Sequence, residues 1–346
     1  MAELVPGVYS TELTMQHGRI WTKRPRVGRD GLLTILGNRR ARRNSATRVA
    51  FTATAFNARG DAFAAADRRG AVFVFHVALN RYACLKEAKL GAPAYSLDFV
   101  RFRPSFNSIV LGLGDARHTV LCLNGESGRA EKTLSGQHHH PVVSVSSHPT
   151  RALLLSTSSE AVILWDSDTW SKLHALSGPG GLAVVAARFL VDGERIGVLF
   201  RDDAVLMWST DSFGLLSRLT LPPHEGRANL RCFAATRDGS LVVAGGSNAM
   251  LYLWDAASEV VVRVAELPPS ASVALQLEFI ADSHELLILS DDGRLLSVLF
   301  TPTGGCAIQL ELAPPACAFT GGCVCVCVRV CACVCVCVCV GVCVCV

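Results

Sequence analysis

A short apolar strand recurs along this chain, and its spacing limits the possible folds more than any other feature. The copies are Val72-Phe73-Val74-Phe75, Val120-Leu121-Cys122-Leu123, Val162-Ile163-Leu164-Trp165, Val205-Leu206-Met207-Trp208, Leu251-Tyr252-Leu253-Trp254 and Leu295-Leu296-Ser297-Val298. Their last residues, Phe75, Leu123, Trp165, Trp208, Trp254 and Val298, stand 48, 42, 43, 46 and 44 residues apart. Each copy closes a unit that begins with an alternating apolar strand, a polar turn and a second strand. A period in this range is that of four-stranded blades arranged around an axis, so the expected fold is an all-β propeller with six recognisable blades.

The turns agree with this period. Asn57-Ala58-Arg59-Gly60-Asp61 and Asp67-Arg68-Arg69-Gly70 break the first unit. Asp192-Gly193 and Asp202-Asp203 occupy the same places in the fourth, Arg237-Asp238-Gly239 in the fifth and Asp291-Asp292-Gly293 in the sixth. Gly accepts a left-handed backbone, and Asp bonds backbone amides two residues on; tight hairpins need both.

The chain resembles the WD40 family through Trp165-Asp166 and Trp254-Asp255, each closing an apolar strand. Ser209 follows Trp208, while His76, Asn124 and Leu299 stand at that place in other units. Gly136-Gln137-His138 looks like a loosened Gly-His at the head of the third unit. The resemblance implies a buried hydrogen-bonded set of His138, Ser156 or Thr157, and Trp165. The turn Asp of that set is missing from His148-Pro149-Thr150-Arg151.

A nearer resemblance is to the N-terminal WD-repeat region of TBC-domain proteins of the member-thirty-one type, over roughly residues 18–313. It rests on Gly18-Arg19-Ile20-Trp21 with Arg29-Asp30-Gly31, on Phe56-Asn57 through Phe75, on Ala161 through Thr169, and on Phe233 through Gly239. It implies a seven-bladed ring, of which six units are visible here and the seventh is expected after the position of Ala313. It also implies a cytoplasmic protein at the centrosome and centriolar satellites, acting in cilium assembly through protein contacts. Rab GTPase activation belongs to the TBC fold, which this sequence does not show.

Charge and cysteine are both local. Between Arg19 and Arg48 lie ten Lys/Arg and one acid, Asp30; the rest of the chain holds 23 basic and 28 acidic residues. A basic arm therefore precedes a mildly acidic body. Of 15 Cys, ten fall in residues 323–346, alternating with Val. A GT repeat read in triplets gives Val-Cys-Val-Cys, and Arg329, Ala332 and Gly341 are each one base from it. A membrane or aggregating segment and a metal site are the competing readings. Alternate β-branched residues favour extended chain over helix, and zinc ligands come in pairs separated by loops. The expected organisation is an N-terminal segment over 1–48, a propeller over 49–313 and a low-complexity tail over 314–346. Arg19-Trp21 and Gly31-Leu36 are expected to add a strand or pack on the sheets. The N-terminus reads as free of a secretory signal, and the body as free of a membrane span.

Residues that could carry chemistry read mostly as structure. His138-His139-His140 cannot all face one metal from a strand. Gly178-Pro179-Gly180-Gly181 and Gly245-Gly246-Ser247-Asn248 lack the Gly-Lys-Ser/Thr of a phosphate loop and read as loops. Asp202-Asp203 and Asp291-Asp292 read as turn residues. Arg39-Arg40-Ala41-Arg42-Arg43-Asn44-Ser45 is open to three readings: a solvated loop, a kinase site at Ser45, or a nucleic-acid patch. No aromatic residue lies between Thr22 and Ala50 to stack on bases. The reading is a noncatalytic docking platform with no cofactor, no metal and no small-molecule substrate. Its structural anchors are Phe75, Trp165, Asp166, Trp208, Trp254 and Asp255. The alternatives are regulated binding through the basic arm, or the substrate-binding part of a Rab GTPase-activating protein. Sequencing message across the codons for 310–325 is expected to reveal spliced transcripts without the repeat; message that always carries it would contradict the translated-repeat reading.

Overall fold

The computed structural model describes the chain from Phe51 to Leu312 apart from 77–80, 86–87, 89, 101–107, 192, 223–226, 268–272, 281–283, 291–294 and 301–305. Outside that span it describes strands at Thr14–Gln16, Arg19–Trp21, Arg26–Val27, Leu33–Thr34, Cys335–Val338 and Val342–Cys345. Ser45, the arginine run before it and Asp291-Asp292 lie outside the described residues.

Six antiparallel four-stranded sheets follow one another, each with its strands in sequence order. The first blade is Phe51–Phe56, Ala62–Asp67, Val72–His76 and Arg81–Cys84. The second is Ala94–Phe99, Ile109–Leu113, Val120–Leu123 and Ala130–Leu134. The third is Ser144–Ser147, Leu153–Thr157, Val162–Asp166 and Lys172–Leu176. The fourth is Val184–Phe189, Arg195–Phe200, Val205–Ser209 and Leu215–Leu219. The fifth is Leu230–Ala235, Leu241–Gly246, Met250–Asp255 and Val260–Glu266. The sixth is Ala274–Phe279, Glu285–Ser290, Leu295–Phe300 and Cys306–Leu312.

First strands of successive blades pack against one another and so line the axis. Second and third strands of the second to fourth blades are apolar on both sides, because each of these blades is covered on both faces. The fourth strands in the middle of the ring are largely exposed. The recurring apolar strand is therefore the third of its blade rather than the last. A more polar edge strand follows it, whose weak alternation reflects contact on few sides.

Five apolar clusters fill the five junctions between neighbouring blades. Ala64, Val72 and Val74 of the first blade meet Phe99, Ile109 and Leu111 of the second. Trp165 lies in the second-to-third junction, Trp208 in the third-to-fourth and Trp254 in the fourth-to-fifth. Their exposures are 2%, 8% and 0%. Pairing of the third strand with the fourth slips by one residue immediately before Leu123, Trp165, Trp208, Trp254 and Val298. The period of the sequence is thus the period of a β-bulge. A bulge sharpens strand twist, which suits a sheet that must turn outward as a blade.

Two turn glycines carry more than a turn. Gly193 has φ 75°, and a Cβ there would come within 2.6 Å of the His148 ring of the preceding blade. Gly239 has φ 64° and lies under the Arg195 guanidinium, also from the preceding blade. His148 Nε2 donates to the Gly193 carbonyl at 2.8 Å, and Arg195 donates to the carbonyls of Gly239 and Asp238 at 3.0 and 2.7 Å. Glycine is required both for the left-handed backbone and for the neighbour's side chain.

In the tail, Cys335–Val338 pairs antiparallel with Val342–Cys345, the extended form that its alternation predicts. Among the described residues no helix is long and apolar enough to cross a membrane.

Trp254→Ala is expected to cost about 3–5 kcal/mol, the range for a buried large aromatic. Exposed Leu216, at 54%, should tolerate alanine within about 0.5 kcal/mol. Urea midpoints of the two variants measure the contrast; equal midpoints would contradict it.

Candidate protein-docking rims and the polar groups that hold them

Because strands alternate in direction, turns between first and second and between third and fourth strands share one rim. Turns between second and third strands, and the connections from blade to blade, share the other. Most side chains that could have carried chemistry are used to build these rims.

The residue after four of the anchors, Leu123, Trp165, Trp208 and Trp254, caps the following hairpin. Asp166 Oδ1 accepts the N–H groups of Asp168 and Thr169 at 2.7 and 2.9 Å. Asp255 Oδ1 accepts those of Ala257 and Ser258 at 2.9 and 2.8 Å. These bonds, chiefly Ser258's, draw the Asp255 carboxyl below its ordinary range. Ser209 Oγ accepts the N–H groups of Asp211 and Ser212, both at 3.2 Å. Asn124 Oδ1 does the same for Glu126 and Ser127 at 2.9 and 3.0 Å. The variation after the anchor is thus one job done by Asp, Ser or Asn, all short acceptors able to reach two residues ahead. On the same rim Thr236 and Ser240 bond Asp238 and hold its carboxyl down to about 2.

His138 is 2% exposed and sits in a relay of hydroxyls. Trp165 Nε1 donates to Ser156 Oγ at 2.8 Å, and Ser156 Oγ lies 2.7 Å from His138 Nε2. His138 Nδ1 lies 2.9 Å from Ser158 Oγ, which donates to the Ala161 carbonyl at 3.3 Å. Each hydroxyl has one proton, so the directions follow: Ser158 accepts from Nδ1–H, and Ser156 donates to Nε2. Thr157 does not join; its hydroxyl is buried without a partner. Ser158 holds the place where the resemblance asks for Asp. The turn in which sequence reasoning sought that Asp, His148 to Arg151, is on the opposite rim, as strand order requires. Burial without a carboxylate partner pushes His138 down to about 4, with Glu160 opposing.

His148 is tied differently. Its Nδ1 accepts the N–H groups of Thr150 and Arg151 at 3.1 and 2.9 Å, so its ring carries the proton on Nε2, the atom that reaches Gly193. Asp202 and Asp203 do not form an acid–base pair. Asp202 Oδ1 accepts Ala204 N–H at 3.2 Å. Asp203 is buried and accepts the N–H groups of Ala228, Asn229 and Leu230 at 3.0, 3.2 and 2.7 Å, clamping the start of the fifth blade. Sequence reasoning placed Asp203 in a turn but could not find partners 25–27 residues away. Gly245 and Gly246 end the strand Leu241–Gly246 rather than forming a loop, and Gly178 leads into the 3-10 turn Pro179–Gly181. The Cys232 thiol donates to the carbonyls of Ala274 and Gly245, and burial pushes it up to about 12. It is no thiolate nucleophile at neutral pH.

The groups that remain presentable are exposed rim loops and a cleft of about 540 Å³, lined by Ala116, Arg117, His118, Ser135, Gly136, His138 and His139. Its walls are the second blade's turn and the connection into the third. His139 N–H donates to Glu160 at 2.5 Å, fixing the loop's path. Across the axis, Arg188 Nη2 bonds both oxygens of Glu278 at 3.0 and 2.8 Å. The fifth blade carries Ala234 at the matching register, small enough to let the pair pass. Among the described residues no group of three or more His, Cys, Asp or Glu could hold a metal.

The family described as WD domain, G-beta repeat, matches residues 128–166 and 216–255. Each match runs into a Trp-Asp strand. TBC1 domain family member 31 from Oryzias latipes is 28% identical over 286 residues, 81% of this chain and 26% of the relative. The Homo sapiens protein of that name is 27% identical over 293 residues, 82% of this chain and 27% of its own. The chain thus spans about a quarter of the length of these relatives. A chain in the crystal structure of a mitotic checkpoint complex superposes with a TM-score of 0.62 at 20% identity, over 78% of this chain and 80% of that one; the likeness shows the fold alone. The chain carries WD40 repeats in a six-bladed propeller arrangement, and its homologues are TBC1 domain family member 31.

The folded state holds His138 at about 4, below the ordinary 6.5 of an unfolded chain. The fold therefore favours the neutral ring. Its contribution is complete above about pH 6.5 and is lost toward pH 4, at up to about 1.4 kcal/mol per pH unit. Urea midpoints from pH 7.5 to 4.5 are expected to fall more steeply for the natural chain than for His138→Asn; parallel curves would contradict this.

Proposed function

We propose that this chain is a noncatalytic docking platform, binding other proteins through the rims of its propeller. The observation that carries this reading is where the polar chemistry has gone. Asp166, Asp203, Asp255, His138 and His148 are each bound to backbone or hydroxyl groups that hold turns and blades together. What the rims offer instead is rigid, differently shaped loops on a scaffold, a surface suited to recognition. The likeness to TBC1 domain family member 31 supports a role beside the centrosome and its satellites in cilium assembly. Any GTPase-activating step would need the TBC domain that such relatives are named for.

A second reading has one observation in its favour, the excess of nine positive charges between residues 19 and 48. Such an arm could bind nucleic acid electrostatically, or respond to phosphorylation at Ser45. Binding of that kind falls steeply with salt.

Proximity labelling in ciliated cells decides between these readings. The natural chain is compared with Arg117→Glu/His139→Glu, which alters the rim cleft, and with a chain lacking residues 19–48. Docking predicts centrosomal neighbours that the cleft variant loses by at least about fivefold while its melting temperature stays unchanged. Neighbours that survive the cleft variant and vanish with the arm would overturn the proposal in favour of the second reading.

A further inference from the structure

The first blade presents an apolar face that none of the other five sheets covers. Along Ala62–Asp67, residues Ala62, Ala64 and Ala66 face the second blade. Side chains alternate along a strand, so Phe63 and Ala65 point the other way. Phe63, Ala65 and Phe73 form their own cluster with Phe56 and Phe75. The Phe56 and Phe63 rings lie 4.9 Å apart, and those of Phe63 and Phe75 lie 5.4 Å apart. Phe63 and Phe73 are nevertheless only 9% and 7% exposed.

Periodicity says what this face is for. Leu123, Trp165, Trp208, Trp254 and Val298 each lie in the cluster shared with the preceding blade. Phe75 is the same residue of the first blade, so its side of that sheet is built to meet a blade that precedes it. The sixth blade has the complementary surplus. Leu286, Ile288 and Val298 pack on the fifth blade, whereas Leu287 and Leu289, on the other side of the same strand, are 6% and 1% exposed. Among the described residues no strand of the sixth blade packs on the first in the way that the other neighbours do.

We infer that residues 14–34 form a seventh blade, which closes the ring between the sixth sheet and the phenylalanine face of the first. The segment holds four short strands in two antiparallel pairs, Thr14–Gln16 with Arg19–Trp21 and Arg26–Val27 with Leu33–Thr34. Arg19–Trp21 lies against Arg81–Cys84, the outer strand of the first blade. In sequence these four strands precede the first strand of the first blade. The Val-Cys tail has two strands described in it against the four of the N-terminal segment.

Hydrogen exchange on the full chain tests this. Wild-type amides in the strands of 14–34 are expected to exchange at least about tenfold slower than in unstructured peptide. Phe63→Asp on the first-blade face, or Leu289→Asp on the sixth-blade face, should each accelerate them at least about tenfold while residues 144–157 stay protected. Leu216→Asp, on an exposed edge strand, should not. If either aspartate unfolds the whole ring, alanine at the same position is measured instead. Four outcomes overturn the inference: unprotected 14–34 in the wild type, no response to either face, a response in 323–346 instead, or protection that depends on protein concentration. The last would mean that a second copy covers these faces.

Discussion

A blade of this protein has two apolar faces and cannot bury either by itself. The second strand of the first blade shows the constraint plainly: Ala62–Asp67 is buried at every residue, with alternate side chains committed to opposite faces of the sheet. A single sheet of this composition would leave several large side chains in water, each forfeiting about 1.5–3 kcal/mol of burial. Stability therefore resides between blades rather than within them, and the fold is a ring of mutual obligations. Core substitutions are felt at two sheets at once, while edge strands such as Leu215–Leu219 are comparatively free.

Polar contacts do a different job. They fix how far one blade rotates against the next. His148 on Gly193, Arg195 on Gly239 and Asp203 on the amides of 228–230 each join a turn of one blade to the backbone of its successor. Arg188 and Glu278 tie the fourth blade to the sixth across the axis. Residues that a search for catalysis would single out are spent on this alignment. A rim whose turns are locked to neighbours presents loops in a defined arrangement, which a docking surface requires.

The six sheets were legible in the sequence because their third strands are strongly apolar and end on a recurring anchor, which in five of them marks a bulge. The exposed fourth strands were harder. Lys172–Leu176 mixes charge with aliphatic side chains because it is an edge, so its alternation carries little signal. Hairpin caps were half legible. Asp166 and Asp255 announce themselves after Trp, while Asn124 and Ser209 look like departures until their shared bonding pattern is seen. The relay at His138 was recognisable except for its last member, since Ser158 stands in for a carboxylate on the rim opposite the expected turn. Asp203 and the Arg188–Glu278 pair were out of reach. Their partners are distant in sequence and are brought near only by the ring.

If stability lies between blades, the blades must fall together. Equilibrium urea unfolding followed by tryptophan fluorescence and by far-ultraviolet dichroism tests this directly. Trp165, Trp208 and Trp254 report three different junctions, and dichroism reports the strands within blades. One coincident transition in both signals is the predicted result. Junction fluorescence lost well before the strand signal would show blades that stand alone, and would contradict the account.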